Sequence, residues 1–182
     1  MRGLHWFRND LRLKDNRALG DLFQAVDEWC GLFVLEPRLI DVPSVSQKRL
    51  SFLFECLEDL SDDLDKVRNR LVIVEGPAET EIPRLMHKLS ASVLSFNEGT
   101  TPFARSRDQS VVCSVKKAGH RVLKRRDHVI FAATDIRSSK GSAYSVYTPY
   151  RNAWWEKYSQ SDHSDLAPSK RPNPIADLGS VS

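Results

Sequence analysis

The densest concentration of chemically capable side chains follows the first apolar run of the chain. Phe7-Arg8-Asn9-Asp10-Leu11-Arg12-Leu13-Lys14-Asp15-Asn16 carries seven charged or amidic residues in ten. Arg8 and Arg12 offer guanidinium forks to an anion, while Asp10 and Asp15 suit the capping of turns. The stretch contains no glycine, which excludes a GxGxxG dinucleotide loop, and no GxxxxGK[ST] phosphate loop occurs anywhere. A hydrogen-bonded structural loop is the plainer alternative and stays open at this point.

Other chemistries find less support. The five histidines show no HxxxH or HExxH spacing, so no metal site is expected. Cys30, Cys56 and Cys113 form no CxxC pair and are expected to act as small hydrophobes. Ser51, Ser92 and Ser110 lack a GxSxG setting, and no nucleophile is assigned. Lys116, Lys117, Arg121, Lys124, Arg125 and Arg126 have two readings. They could attract a nucleic-acid backbone, but a solvated helix end and edge strand is preferred.

These side chains need elements to hold them. Residues 4–7, 32–35, 71–74, 93–96 and, more weakly, 121–123 form short apolar runs bounded by turn residues or charges, and read as strands. Their near-continuous apolarity predicts cover on both faces, as in a parallel sheet. Leu19, Leu22, Phe23 and Val26 repeat with helical spacing, with Asp15 or Asn16 placed as the cap. A long stripe from Leu50 through Leu53, Leu57, Leu60 and Leu64 faces away from Glu55, Glu58, Asp59, Asp62 and Asp63, a solvated acidic face. Ile82, Leu85, Met86 and Leu89 predict another helix, which requires Pro83 to fall in its first turn. Thr101-Pro102 opens a further helix and Gly119 closes it.

Alternation of strand and helix predicts an α/β fold: a doubly wound, five-stranded, mostly parallel, Rossmann-like sheet with helices on both faces. Ligands of such sheets bind beyond the carboxyl ends of the strands, where the strand order reverses. The 182 residues suit one domain, expected over 1–158, followed by a polar, proline-punctuated linker over 159–182. No apolar run approaches bilayer length, so a cytoplasmic protein without membrane contact is expected. The net charge of +3 is too small to argue for nucleic acid by itself.

His5-Trp6-Phe7-Arg8-Asn9-Asp10-Leu11-Arg12-Leu13-Lys14-Asp15-Asn16-Arg17-Ala18-Leu19 resembles the WFRxDLRxxDNxAL signature of the DNA photolyase/cryptochrome family. Further likenesses follow in order: Glu36-Pro37, Arg49-Leu50-Ser51-Phe52-Leu53, Pro102-Phe103-Ala104-Arg105-Ser106-Arg107-Asp108, and Tyr144 through Trp154. The resemblance covers about residues 3–158 and implies the N-terminal antenna domain of a photolyase. In its full-length form, such a protein repairs cyclobutane pyrimidine dimers in damaged DNA with blue light and reduced FAD. The FAD lies in a C-terminal helical domain that has no counterpart in these residues. The fragment alone is therefore expected to be inactive and monomeric, with Trp154 and Trp155 packing at the domain edge. A cryptochrome-like photoreceptor and a free-standing nucleotide- or flavin-binding module are the alternatives.

The resemblance also implies a site for a small antenna chromophore. Arg8, Asn9, Arg12, Arg38 and Arg49 stand ready for its polar groups, Glu36 lies at the adjoining turn, and Phe33, Phe52 and Phe103 are available for stacking. Phe103-Ala104 replaces the Asn-Glu pair of the folate pattern. A deazaflavin or flavin is therefore favoured over folate, with an empty site as the alternative.

Overall fold

The first apolar run forms β1 (Arg2–Phe7), and four further strands align parallel to it or to one another: β2 (Glu28–Leu35), β3 (Leu71–Glu75), β4 (Val93–Asn97) and β5 (Arg121–Arg125). This computed structural model describes residues 1–40, 46–132, 134–161 and 173–175. The strand order is β3-β2-β1-β4-β5, so the sheet is doubly wound and reverses between β1 and β4. Helices α1 (Arg17–Ala25), α2 (Pro37–Ile40), α3 (Gln47–Lys66), α4 (Ala78–Lys88) and α5 (Pro102–Lys117) join successive strands, and α6 (Tyr147–Gln160) follows the sheet. Among the described residues no helix is long and apolar enough to cross a membrane.

Strand alternation divides the core in two. Leu4, Trp6, Leu32, Val34, Leu94 and Phe96 pack with Ile82, Leu85 and Met86 of α4 and Val111 and Val115 of α5. On the other face Phe7, Trp29 and Phe33 meet Leu19 and Leu22 of α1 and Leu57, Leu60 and Leu64 of α3. Gly3 marks the tightest contact of that face: a Cβ there would lie 2.6 Å from a Leu22 methyl.

The caps are local chemistry. The Asn16 side chain accepts the Leu19 amide at the start of α1, and Thr101 accepts that of Ala104 ahead of Pro102. Gly119, at φ +82°, ends α5 in the left-handed conformation, and the His120 amide returns to the Val115 carbonyl.

Four features depart from expectation. Pro83 lies in the second turn of α4, not its first, since that helix begins at Ala78. It has no N–H for the Glu79 carbonyl, and the burial of Ile82, Leu85 and Met86 holds the helix regardless. The edge strand β3 is not covered on both faces, and Ile73 is 48% exposed. Helix α6 buries no residue at all; Trp154, Trp155 and Tyr158 pack on one another and on Phe131. Finally, three residues of the segment read as linker, 173–175, lie at the sheet, while 162–172 and 176–182 fall outside the described residues. Residues Asn173–Pro174 form β6 along β2, beside β3, and Ile175 is 4% exposed in the α4/α5 core. Pro174 is tolerated because it sits at an edge, where no donor is required. Replacing Ile175 by Ala is expected to destabilise the domain by about 2 kcal/mol, the lower end for a buried Ile because the site is peripheral. Urea unfolding measures this, and a change below 0.5 kcal/mol, about the size of a surface substitution, would show that the segment is not anchored.

Candidate functional site

Two buried polar clusters lie at the carboxyl ends of the central strands, one on each face of the sheet. The first anchors the loop after β1 from the α1 face. Asn97, at the end of β4, donates to Asp10 at 2.6 Å and to the Asn16 side-chain oxygen at 2.8 Å, and it accepts the Ala18 amide at 3.1 Å. Asp10 also takes the Arg8 amide at 3.1 Å. His5, fully buried, lies 2.6 Å from the Ser95 hydroxyl through Nδ1 and 3.3 Å from the Asn16 amide nitrogen through Nε2. The Asn16 nitrogen is a donor, which assigns Nε2 as acceptor and places the ring proton on Nδ1. Burial lowers the His5 pKa to about 4, so the ring is neutral. Burial raises the Asp10 carboxyl, but the charge of His5 when protonated, the Asn97 amide and the Arg8 backbone N–H outweigh it and hold it below the ordinary value.

The second cluster lies on the α4/α5 face, around the indole of Trp6. The Arg8 guanidinium stands 4.7 Å from the Trp6 ring and 4.9 Å from Phe96, while Arg107 of α5 stands 4.8 Å from the same indole. Asp108 joins the two cations, accepting Arg8 Nη1 at 2.5 Å and Arg107 Nη2 at 3.3 Å, and its second oxygen takes the Gly99 amide at 3.0 Å. Burial lowers the Arg8 pKa, Asp108 counters it, and Arg107 adds to the lowering. Glu36, 2% exposed, follows β2 and lies 3.8 Å from Arg107 Nε. Arg38 closes this arrangement from outside, binding Glu36 at 3.0 Å and both Glu79 oxygens at 3.0 and 3.1 Å, with its guanidinium 5.5 Å from Phe103.

Within this second cluster, four buried polar atoms have no hydrogen-bond partner among the described residues: Trp6 Nε1, Arg8 Nε, Arg107 Nε and Glu36 Oε1. Three are donors and one is an acceptor. A planar ligand with a polar edge suits such a set, since it would satisfy groups that are costly to leave unpaired.

Arg8, Glu36, Arg38 and Phe103 therefore share one location at the switch point. Phe33 lies on the opposite face, in the core against α1 and α3. Arg12 ties the first loop to Asp127 and to the Asp15 carbonyl instead of facing the cluster. Asn9 is exposed, as are Arg49 and Phe52 near the start of α3, and no hydrogen bond or ring contact joins these three to the cluster among the described residues. Trp6, Arg107 and Asp108 were not singled out from sequence. The available signal was the i, i+4 spacing of Phe103 and Arg107, which puts both on one face of α5. Half of the basic stretch is paired: Lys124 and Arg126 pair with Glu98, Arg126 also with Asp135, and Arg125 with Asp21. That pairing favours the reading of a solvated edge.

Comparison with known proteins adds lineage to this geometry. A model of the DNA photolyase family matches residues 3–173. A deoxyribodipyrimidine photo-lyase of Synechococcus is 32% identical over 151 residues, covering 83% of this chain and 31% of that protein. Cryptochrome-1 of Spalax judaei is 33% identical over 138 residues, 76% of this chain and 24% of the relative. Among solved structures, an archaeal photolyase from Sulfolobus tokodaii, described with two FAD molecules and a novel light-harvesting cofactor, matches with a TM-score of 0.76 at 25% identity. That match covers 96% of this chain and 38% of the archaeal one. The chain thus spans roughly a quarter to two fifths of the length of these three proteins.

Proposed function

The chain belongs to the DNA photolyase family, and from that premise we propose that it is the antenna-type α/β domain of a deoxyribodipyrimidine photo-lyase, with a flavin or deazaflavin ring held at the β1/β4 switch point. The observation that carries the ligand reading is the set of orphaned buried atoms around Trp6. The pyrimidine edge of a flavin or deazaflavin runs acceptor, donor, acceptor. Arg8 Nε and Arg107 Nε would donate to its carbonyls and Glu36 Oε1 would accept its ring N–H, with Trp6 and Phe103 supplying aromatic contact. The cofactor's own chemistry is to absorb light and transfer excitation. The protein's part is to bind the ring, fix its orientation and shield it from water. The description of the Sulfolobus tokodaii photolyase with a second FAD supports a flavin over a folate. Damaged DNA is the substrate of the proposed longer protein, acting as a cytoplasmic monomer. The 182 residues alone are expected to split no dimers under blue light, and light-dependent splitting by them would overturn the domain assignment.

Titration of the purified chain with riboflavin and with 5-deazariboflavin tests the site. Saturable binding with quenching of tryptophan fluorescence is expected. Glu36→Ala is expected to weaken it about tenfold, the loss of one charge-assisted hydrogen bond. Saturable binding of a reduced folate with neither flavin bound would defeat the reading.

A further inference from the structure

The two edges of the sheet are built differently. β5 carries Arg121, Lys124 and Arg125 among its five residues, charges that discourage a further strand from pairing there. β3 reads Leu-Val-Ile-Val-Glu, with no Lys or Pro and an unbroken register on β2. Among the described residues it pairs with β2 alone, so its outer edge faces no strand. Val72 and Val74 are buried in the α4 core, while Ile73, on the face of Phe33 and α3, is 48% exposed. Helix spacing sets the rim above this edge. In the right-handed β2-α3-β3 crossover Leu57, Leu60 and Leu64 face the sheet, so Phe54, Glu58 and Asp65 turn toward the β3 side. Asp63, paired with Lys66, turns the other way, where the charge of Lys14 in the loop after β1 also reaches it. Phe54 is 46% exposed, much as Ile73 is. Glu58, Asp62 and Asp65 follow at i, i+4 and i+7, all exposed and none in an ion pair among the described residues.

We propose that the outer edge of β3 accepts an extended, basic peptide segment as an added strand, with alternate side chains lying over Ile73 and Phe54 and against Glu58, Asp62 and Asp65. Main-chain hydrogen bonds along β3 supply the affinity, and the side chains on the α3 face supply the choice of partner. An apolar residue covers Ile73 and Phe54, and a Lys or Arg two positions to either side of it meets the carboxylates. An acidic segment meets Glu75 and the α3 row as like charges and is rejected. The edge is two strands away from β1 and its switch point, and its occupancy does not depend on the flavin reading.

The probe is a dye-labelled synthetic peptide, Thr-Lys-Thr-Ile-Thr-Lys-Thr, which as a strand puts Lys, Ile and Lys on one face. Titrated against the chain at low ionic strength, it is expected to bind saturably and to slow amide hydrogen exchange in β3. The same peptide with Glu in place of Lys is expected to bind about tenfold more weakly. N-methylating one alternate set of its amides should cost at least about tenfold and methylating the other set little, because only one set can face β3. Ile73→Lys, at a half-exposed position, is expected to weaken the basic peptide about tenfold by charging the edge. Glu58→Gln combined with Asp62→Asn is expected to weaken it about fivefold and to leave the acidic peptide no weaker. Absence of saturable binding, equal binding of both peptides, the two methylated sets acting alike, or binding unchanged in Ile73→Lys would each overturn the proposal. Self-association of the chain that Ile73→Lys abolishes would overturn it too, by giving the edge to a second copy.

Discussion

Replacing Asp108 by Ala is expected to destabilise the domain by about 3–5 kcal/mol, the range for breaking a buried ion pair from one side. The size follows from what the substitution leaves behind. Arg8 and Arg107 each have a side chain only 9% exposed, and both hold their charge within 5 Å of the same indole ring. Asp108 is the carboxylate that binds both, and it also fixes the Gly99 amide ahead of α5. Without it, Arg8 keeps a desolvated charge with no carboxylate contact, and two like charges face each other in a low-dielectric setting. Asp108→Asn retains an acceptor for the Gly99 amide and is expected to lose about half as much, which keeps the experiment readable if the alanine variant does not fold. Combining Asp108→Ala with Arg8→Leu should recover stability relative to Asp108→Ala alone, because the stranded charge is gone. Urea-induced unfolding gives all three values. A loss below 1 kcal/mol for Asp108→Ala would show the pair to be solvated and not built into the core.

The contrast between Asp108 and Asn16 shows what a sequence can and cannot disclose here. Asn16 caps α1 through a residue three positions away, and local spacing narrows the cap to it or Asp15. The same holds for Thr101, Pro102 and Gly119 at the two ends of α5, and for β1, β2 and β4, whose apolar runs register directly as buried rows. Asp108 meets Arg8 across 100 positions of chain. No periodicity encodes that contact; it exists because β1 and α5 converge at the switch point. Arg8 consequently read either as an anion-binding group or as part of a hydrogen-bonded structural loop, and the structure seals it with a carboxylate. Ile175 is illegible for a related reason: scattered apolar residues in a polar segment form no pattern, and its burial depends on β2 leaving an edge beside Trp29. Arg49 and Phe52 lie in a motif that signals the family, but their exposure on α3 is set by helix rotation toward Leu57 and Leu60.

The stability of the domain is expected to fall by about 3 kcal/mol between pH 6.5 and pH 4 through His5 alone, taking 1.36 kcal/mol per unit of pKa shift. His5 is buried and its pKa is lowered from 6.5 to about 4. Across that interval the unfolded chain binds a proton at this ring and the folded chain does not, so acidification favours unfolding. Burial is the main cause, and the ring's partners agree with it: Nδ1–H is committed to Ser95 and Nε2 accepts from Asn16, so a second ring proton would oppose an amide N–H. Asp10 is a nearby counter-charge, but burial outweighs it, and the Arg8 charge acts in the same direction as burial. Below about pH 4 the unfolded chain also takes up a proton at Asp10, whose folded carboxyl is held under its ordinary value, and this adds its own loss. His5→Gln removes the titration while retaining a polar side chain beside Ser95. Its unfolding free energy should therefore be lower at pH 7 but flatter from pH 6.5 to 4. Urea unfolding at several pH values resolves the two slopes, and the imidazole nitrogen shifts of His5 at pH 5.5 report the ring directly. Parallel slopes for wild type and His5→Gln, or a protonated ring at pH 5.5, would show that the network admits the second proton, most simply by turning the Asn16 amide to present its oxygen. That rotation would remove the cap from α1, so the same titration reports whether the loop after β1 keeps its anchor in acid.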